Sequence, residues 1–172
     1  MCVPGRTDPL LRPAGPADAA ALAALRGDGA LQHLLMANPD PAPPADPVAE
    51  AAAWIARREG AGWFRVIDDG TGALGFVQIS DIHRKNRFGW LGLALLPAAR
   101  GRGLGARALA AAEAAARDEL GLRKVLLQVR ADNGAALALY DRASWHRVGT
   151  LRAQYDDGAA LHDVVICEKA LA

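Results

Sequence analysis

Between positions 93 and 105 the chain reads Leu93-Ala94-Leu95-Leu96-Pro97-Ala98-Ala99-Arg100-Gly101-Arg102-Gly103-Leu104-Gly105, an apolar run that stops at a proline and enters a glycine-rich turn. These residue types suit an anion. Gly101, Gly103 and Gly105 allow a ligand close to the backbone, and the first N–H groups of a helix starting here have no intrahelical partner. Those donors and the positive end of the helix dipole form an anion site. Arg100 and Arg102 add fixed positive charge at its rim, which fits a pyrophosphate better than a single carboxylate. A glycine pattern this short also describes an ordinary surface turn. It is not a P-loop, since no Gly-Lys-Ser/Thr follows. Nor is it a dinucleotide fingerprint, since the acidic residue expected after the next strand is missing.

The turn needs a strand before it and a helix after it, and the pattern supplies both. Trp90 to Leu96 is nearly all apolar, as expected of a central strand covered on both faces. Residues 104–120 are alanine-rich, with Leu109, Ala112 and Ala116 placed to pack closely on a sheet and Gly121 to end the helix. Residues 124–130 form the next strand; a strand, helix, strand succession predicts a right-handed parallel crossover pairing 88–96 with 124–130. Asn133 to Asp141 reads as a short helix carrying Ala136, Leu137 and Tyr140. Upstream, Leu10 to Pro13 is a short strand and Pro16 to Arg26 a helix. Five prolines from Asn38 to Pro47 mark a loop, closed by Asp46 as N-cap of a helix to about Glu59. Residues 63–67 and 74–79 form a hairpin across the 68–72 turn, and Arg84 to Arg87 makes the next turn. Two strands, 145–151 and 163–169, finish the chain around a long hairpin containing Asp156-Asp157-Gly158. The expected fold class is mixed α/β (α+β), a mostly antiparallel sheet with one splayed parallel pair, flanked by helices.

With 172 residues, one domain over 9–172 after an extension at 1–8 is the simplest division. Twenty Lys plus Arg against nineteen Asp plus Glu leave a net charge of +1, so no global field favours nucleic acid or an anionic membrane. The cysteines, Cys2 and Cys167, suit neither a disulfide framework nor a metal site. A cytoplasmic setting is expected. The longest apolar run, about 88 to 99, is well short of the roughly 18 residues of a membrane span.

Read together, these residues resemble the GNAT superfamily of acyl-CoA-dependent N-acetyltransferases. The family signature, Arg or Gln, two residues, Gly, one residue, Gly or Ala, is met by Arg100, Gly103 and Gly105. A second family element, an Asn after the next strand followed by Ala and Tyr on a short helix, is met by Asn133, Ala136 and Tyr140. One departure follows: where the family has Gly and an aromatic, this chain has Ser144-Trp145. Residues 79–83, the Asn86 turn and the 157–163 tail look like the branch of ribosomal-protein, polyamine and aminosugar N-acetyltransferases.

The resemblance implies acetyl-CoA as co-substrate and no metal. Its pyrophosphate would lie on the backbone of Arg100, Gly101, Arg102, Gly103, Leu104 and Gly105, its pantetheine arm along Leu93 to Leu95, with Asn133 in contact. Tyr140 is the candidate acid for the leaving thiolate, because its hydroxyl both donates hydrogen bonds and releases a proton; the competing reading is a half-buried core aromatic. No carboxylate stands on the central strand, so the base stays open. Gln128 could orient a water, Asp81 and His83 could bind the amine or relay its proton, and an amine deprotonated through water could attack directly. His33, His146 and His162 read as ordinary histidines, and Trp54 or Trp63 as possible walls of an acceptor pocket. The expected partners are a small-molecule amine or a peptide N-terminus, and a homodimer is compatible with the family. A CoA-binding sensor with little chemistry is the reading from another class.

Overall fold

Burial alternates along the central strands and assigns each side of the sheet its own layer. In β2 (Trp63–Asp68), β3 (Ala73–His83) and β4 (Phe88–Leu95), Trp63, Val77, Ile79 and Leu91 pack toward one cluster, whereas Phe64, Val66, Phe76 and Ala94 pack toward another. The computed structural model describes residues 10–37 and 43–171. The 1–8 extension with Cys2, and part of the proline-rich loop, lie outside these.

The first cluster is closed by α4 (Leu104–Asp118). Its Leu109, Ala112 and Ala116 are fully buried, because small side chains at helical spacing bring the axis close to the strands. The second is closed by α1 (Ala19–Gly27), which follows a 3-10 turn at Pro16–Asp18, and by α3 (Pro47–Ala61), capped by Asp46 as expected. There Trp54 meets Phe64 and Phe76 edge-on with ring centroids 5.3 and 5.2 Å apart.

Seven strands form one mixed sheet in the order β1-β2-β3-β4-β5-β7-β6, with β1 at Leu10–Arg12, β5 at Lys124–Arg130, β6 at His146–Asp156 and β7 at Leu161–Ala170. All neighbours are antiparallel except β4 and β5. That parallel pair holds only over Phe88–Trp90 and Lys124–Leu126, after which the strands part. Between β5 and β6 lies α5 (Gly134–Arg142), capped by the side chain of Asn133. In the turn after it Ser144 takes the left-handed conformation, φ +59°, which glycine adopts at least cost.

Four expectations need correction. A six-residue helix, α2 (Gly29–Leu34), follows α1 where none was expected; Asp28 caps it by accepting from Leu31 N–H. β3 runs on to His83 beyond a bulge at Asp81, whose φ is +49°. β6 extends to Asp156, leaving a short turn before β7 rather than a long hairpin. β4 is not covered on both faces, because Trp90, Gly92 and Leu93 are only half-buried.

Candidate functional site

The turn between β4 and α4 is built to leave donors exposed. Gly101 and Gly103 have φ of +72° and +76°, a region costly to any residue with a Cβ, and no side chain caps α4. The N–H groups of Gly101 through Ala106 have no acceptor among the described residues. By contrast, Asp28, Asp46 and Asn133 cap the helices that follow them. Arg100 folds back to donate from Nε to the Leu95 carbonyl at 3.1 Å, fastening the turn to the end of β4. Arg102 donates to Asp69 at 2.7 Å, fastening it to the β2–β3 turn. Gly105 differs from the other two: a methyl there would make ordinary contacts, 3.5 Å from Leu139 and 3.6 Å from Leu95. An arc of unpaired amides with a guanidinium on either side can hold a diphosphate.

Beyond Trp90, the edge of β4 toward β5 has no strand partner, so Leu91 to Leu95 offer backbone groups to whatever enters the gap. The Leu93 and Leu95 side chains are half-buried, Leu93 against the α4 cluster. Tyr140, on α5, is buried at 7% exposure with its ring 5.7 Å from that of Trp145. Trp145 is itself pinned by donating to Glu113 at 2.7 Å. No fully buried side-chain oxygen or nitrogen among the described residues lacks a partner, and the Tyr140 hydroxyl makes no hydrogen bond. That oxygen therefore reaches accessible space at the edge of an apolar cluster. Burial pushes its pKa up to about 12, with a smaller contribution from Cys167, so the hydroxyl keeps its proton at neutral pH.

On the α1/α3 face a cleft of ≈ 980 Å³ opens onto the same strands. Phe76, Gln78, Gly92 and Leu93 line it from β3 and β4, and α1, α2 and α3 contribute Arg26, His33, Glu50, Trp54, Arg57 and Arg58. Gly92 makes the floor, since a Cβ there would lie 3.3 Å from the Gln78 amide nitrogen. Trp54 lines the cleft. Trp63 is in the opposite cluster, donating from Nε1 to Glu119.

The other expected residues are scattered. Asp81 and His83 sit where β3 pairs with the start of β4, beside Trp90 and Phe88, and neither lines the cleft. His83 stacks on Phe88 and accepts from Asn86 N–H; Asp81 accepts from the Ser80 hydroxyl. Gln128 is exposed on the splayed part of β5, alternating with buried Leu127 and Val129. Asn133 commits its Oδ1 to the N–H of Ala136, as the cap of α5.

Sequence reasoning missed a polar network at the end of β5. Arg130, 7% exposed, donates to both Asp132 oxygens at 2.9 and 2.6 Å and lies over the Tyr155 ring. His162 bonds Arg130 and, at 2.6 Å, Asp157, whose carboxyl is held well below the usual range by the N–H groups of Ala159 and Ala160 and then by His162. Tyr155 completes the chain with a 3.1 Å hydrogen bond to His33, which lines the cleft. The network joins three separate stretches of chain, at His33, at Arg130 to Asp132 and at Tyr155 to His162, and no spacing rule connects them. Among the described residues no group of three His, Cys, Asp or Glu could hold a metal ion, and no helix is long and apolar enough to cross a membrane.

No curated protein matches the chain by sequence. Solved structures match its fold over nearly its whole length. Spermidine N-acetyltransferase from Vibrio cholerae, in complex with CoA and spermine, superposes with a TM-score of 0.85 at 18% identity, covering 96% of each chain. Ribosomal-protein-alanine N-acetyltransferase from Brucella melitensis gives 0.78 at 23% identity, over 94% of this chain and 99% of that one. A putative acetyltransferase from Salmonella typhimurium with its cofactor acetyl-CoA gives 0.76 at 18% identity, over 96% and 95%. The sequence model of the Acetyltransferase (GNAT) family matches residues 29–145, which span α2, α3, the glycine turn and Tyr140. The chain belongs to the acetyltransferase (GNAT) family.

Proposed function

We infer that this protein transfers an acetyl group from acetyl-CoA to an amine by direct attack, without an acyl-enzyme. The observation that carries this is the run of unpaired amides from Gly101 to Ala106, at the end of a strand whose partner has splayed away. Neighbours of the same fold hold CoA or acetyl-CoA. When bound, the cofactor supplies an acyl group activated as a thioester.

The amides of Gly101 to Ala106 bind the diphosphate, and Arg100 and Arg102 supply countercharge. The unpaired edge of β4, from Leu93 to Leu95, accepts from and donates to the amide-bearing arm. The cleft brings the amine to Gly92 from the face opposite α4. As the carbon–sulfur bond breaks, Tyr140 gives its proton to the departing sulfur; a hydroxyl with its pKa near 12 is protonated at every pH where the amine reacts. Among the described residues Glu50 is the one carboxylate lining the cleft, and it accepts from Arg57; the amine proton leaves through water, in reach of the His33–Tyr155 pair.

The test is incubation with acetyl-CoA and a panel of polyamines, aminosugars, aminoglycosides and peptide N-termini, following free thiol. Release that depends on an amine is expected. Binding of CoA with no release on any amine would leave the sensor reading in its place.

A further inference from the structure

Of the described side chains that line the cleft, His33 is the one suited to take a proton near neutral pH. The other titratable ones are Arg26, Glu50, Arg57 and Arg58. A guanidinium keeps its charge at every working pH. Glu50 accepts from Arg57 at 2.7 Å, and that contact, with Arg26 adding to it, holds its carboxyl below the usual range. A carboxylate so stabilised as an anion is a poor proton acceptor. An imidazole changes charge within the physiological range and can both accept and release a proton there.

The fold fixes this ring from two sides. Leu31 is buried in the α1/α3 cluster, Asp28 caps the helix, and Gln32 donates from Nε2 to the Leu25 carbonyl at 3.0 Å, so α2 is held against α1. From β6, the Tyr155 hydroxyl meets His33 Nδ1 at 3.1 Å, with the two rings edge-on and their centroids 6.4 Å apart. Tyr155 is held in turn, with the Arg130 guanidinium 5.7 Å from its ring centroid and the His162 ring 6.3 Å away. Buried Arg130 is clamped by Asp132, and His162 by Asp157. His33 Nε2 has no hydrogen-bond partner among the described residues. A ring nitrogen committed to a fixed partner sets what the other can do.

His33 and Tyr140 stand on opposite sides of the sheet. Tyr140 belongs to the cluster under α4, whereas His33 lines the α1/α3 face. Proton removal on one side and proton delivery on the other keep the two groups from neutralising each other.

We propose that His33 is the general base of the transfer, held by Tyr155 in the tautomer that carries its proton on Nδ1. This rests on the acetyl-transfer reading above and adds a residue to it. The amine nitrogen attacks the thioester carbon and becomes acidic as the nitrogen–carbon bond forms. His33 Nε2 receives that proton through water, the carbon–sulfur bond breaks, and Tyr140 gives its proton to the sulfur. The imidazolium keeps donating from Nδ1 to the Tyr155 oxygen and returns a proton through solvent to Tyr140, so neither residue is consumed.

The experiment follows thiol release from acetyl-CoA between pH 6 and 9.5, using whichever of spermidine, glucosamine, kanamycin or an alanyl peptide the parent protein acetylates fastest. His33→Gln should lower kcat by about 10²-fold, with the amine KM and the CoA dissociation constant within about twofold of the parent. The parent kcat should carry two ionisations on its acid side, and the variant should keep only that of the amine. Added imidazole should raise the rate of His33→Ala by about tenfold or more, which a packing role for His33 does not allow. Tyr155→Phe keeps the ring beside Arg130 and should lower kcat about three- to tenfold, the size of one hydrogen bond, with KM unchanged. A kcat for His33→Gln within about threefold of the parent, a loss confined to KM, or a loss in His33→Ala that imidazole does not restore each overturns the proposal. Should the His33 variants lose CoA affinity, Tyr155→Phe decides: a kcat equal to the parent's overturns the proposal, and a fall at unchanged KM and CoA affinity supports it. No release from any amine by the parent removes the acetyl-transfer reading itself, whereas release that survives in His33→Gln removes the base alone.

Discussion

Tyr140→Phe separates chemistry from packing more cleanly than any other single change. The hydroxyl makes no hydrogen bond among the described residues, while the ring is buried against Trp145 in the larger cluster. Removing the oxygen therefore deletes no intramolecular bond and opens no cavity of consequence. The stability change should stay within about 1 kcal/mol of zero, or roughly 2–4 °C in Tm for a chain of this size. If the hydroxyl protonates the leaving thiolate, kcat should fall by about 10²-fold or more, with the KM for acetyl-CoA little altered. Alkaline unfolding adds a second readout. The folded pKa, near 12, lies above the ordinary value of 10.0, so the native state holds its proton more tightly than the unfolded chain. That contribution is fully present below pH 10 and is lost as pH rises to about 12, a decline of about 3 kcal/mol that the Phe variant should lack. The assays are steady-state thiol release and urea denaturation from pH 8 to 12. A kcat within threefold of the parent would remove Tyr140 from the reaction.

Three further outcomes follow from the same geometry. Gly103→Ala forces a Cβ into a left-handed backbone and should cost about 1–2 kcal/mol and weaken CoA binding. Gly105→Ala, with ordinary contacts in a helix, should be neutral or up to about 1 kcal/mol stabilising; both are read by denaturation and CoA titration. Ser144→Gly relieves a positive φ on an exposed side chain and should raise stability by about 0.5–1 kcal/mol with turnover unchanged, measured by thermal unfolding. Asp69→Ala releases Arg102 from its ion pair and should tighten CoA binding severalfold at low salt, an effect that fades toward 0.5 M NaCl.

The glycine turn was legible because it is local. Arg100 to Gly105, the apolar strand before it and the alanine helix after it are contiguous, and glycine's freedom and a helix's free amides are properties of neighbours in sequence. The strand pairing was legible for the same reason, since one crossover joins β4 to β5. The cleft was not. Arg26 belongs to α1 and Arg58 to α3, and only the packing of both helices on Phe64 and Phe76 brings their guanidinium groups to one tryptophan. Nothing in the spacing of Trp54 and Trp63 told the lining ring from the core ring. α2 escaped because six residues give too little periodicity, and the end of β6 because Arg152 to Asp156 is almost wholly exposed and carries no apolar alternation. Asp81 and His83 carry suitable chemistry near the end of β3, but that strand ends where β4 and β5 are still paired.

The amides from Gly101 to Ala106 also matter to the chain's endurance. A helix start without a cap is left to water, and a diphosphate bound there, as proposed above, would finish it as the side chains of Asp46 and Asn133 finish theirs. A ligand that binds only the folded form adds about 2.7 kcal/mol at one hundred times its dissociation constant, a sizeable share of a margin of roughly 5–15 kcal/mol. With acetyl-CoA bound there, the folded fraction would rise with its concentration, which thermal unfolding with and without CoA reads directly.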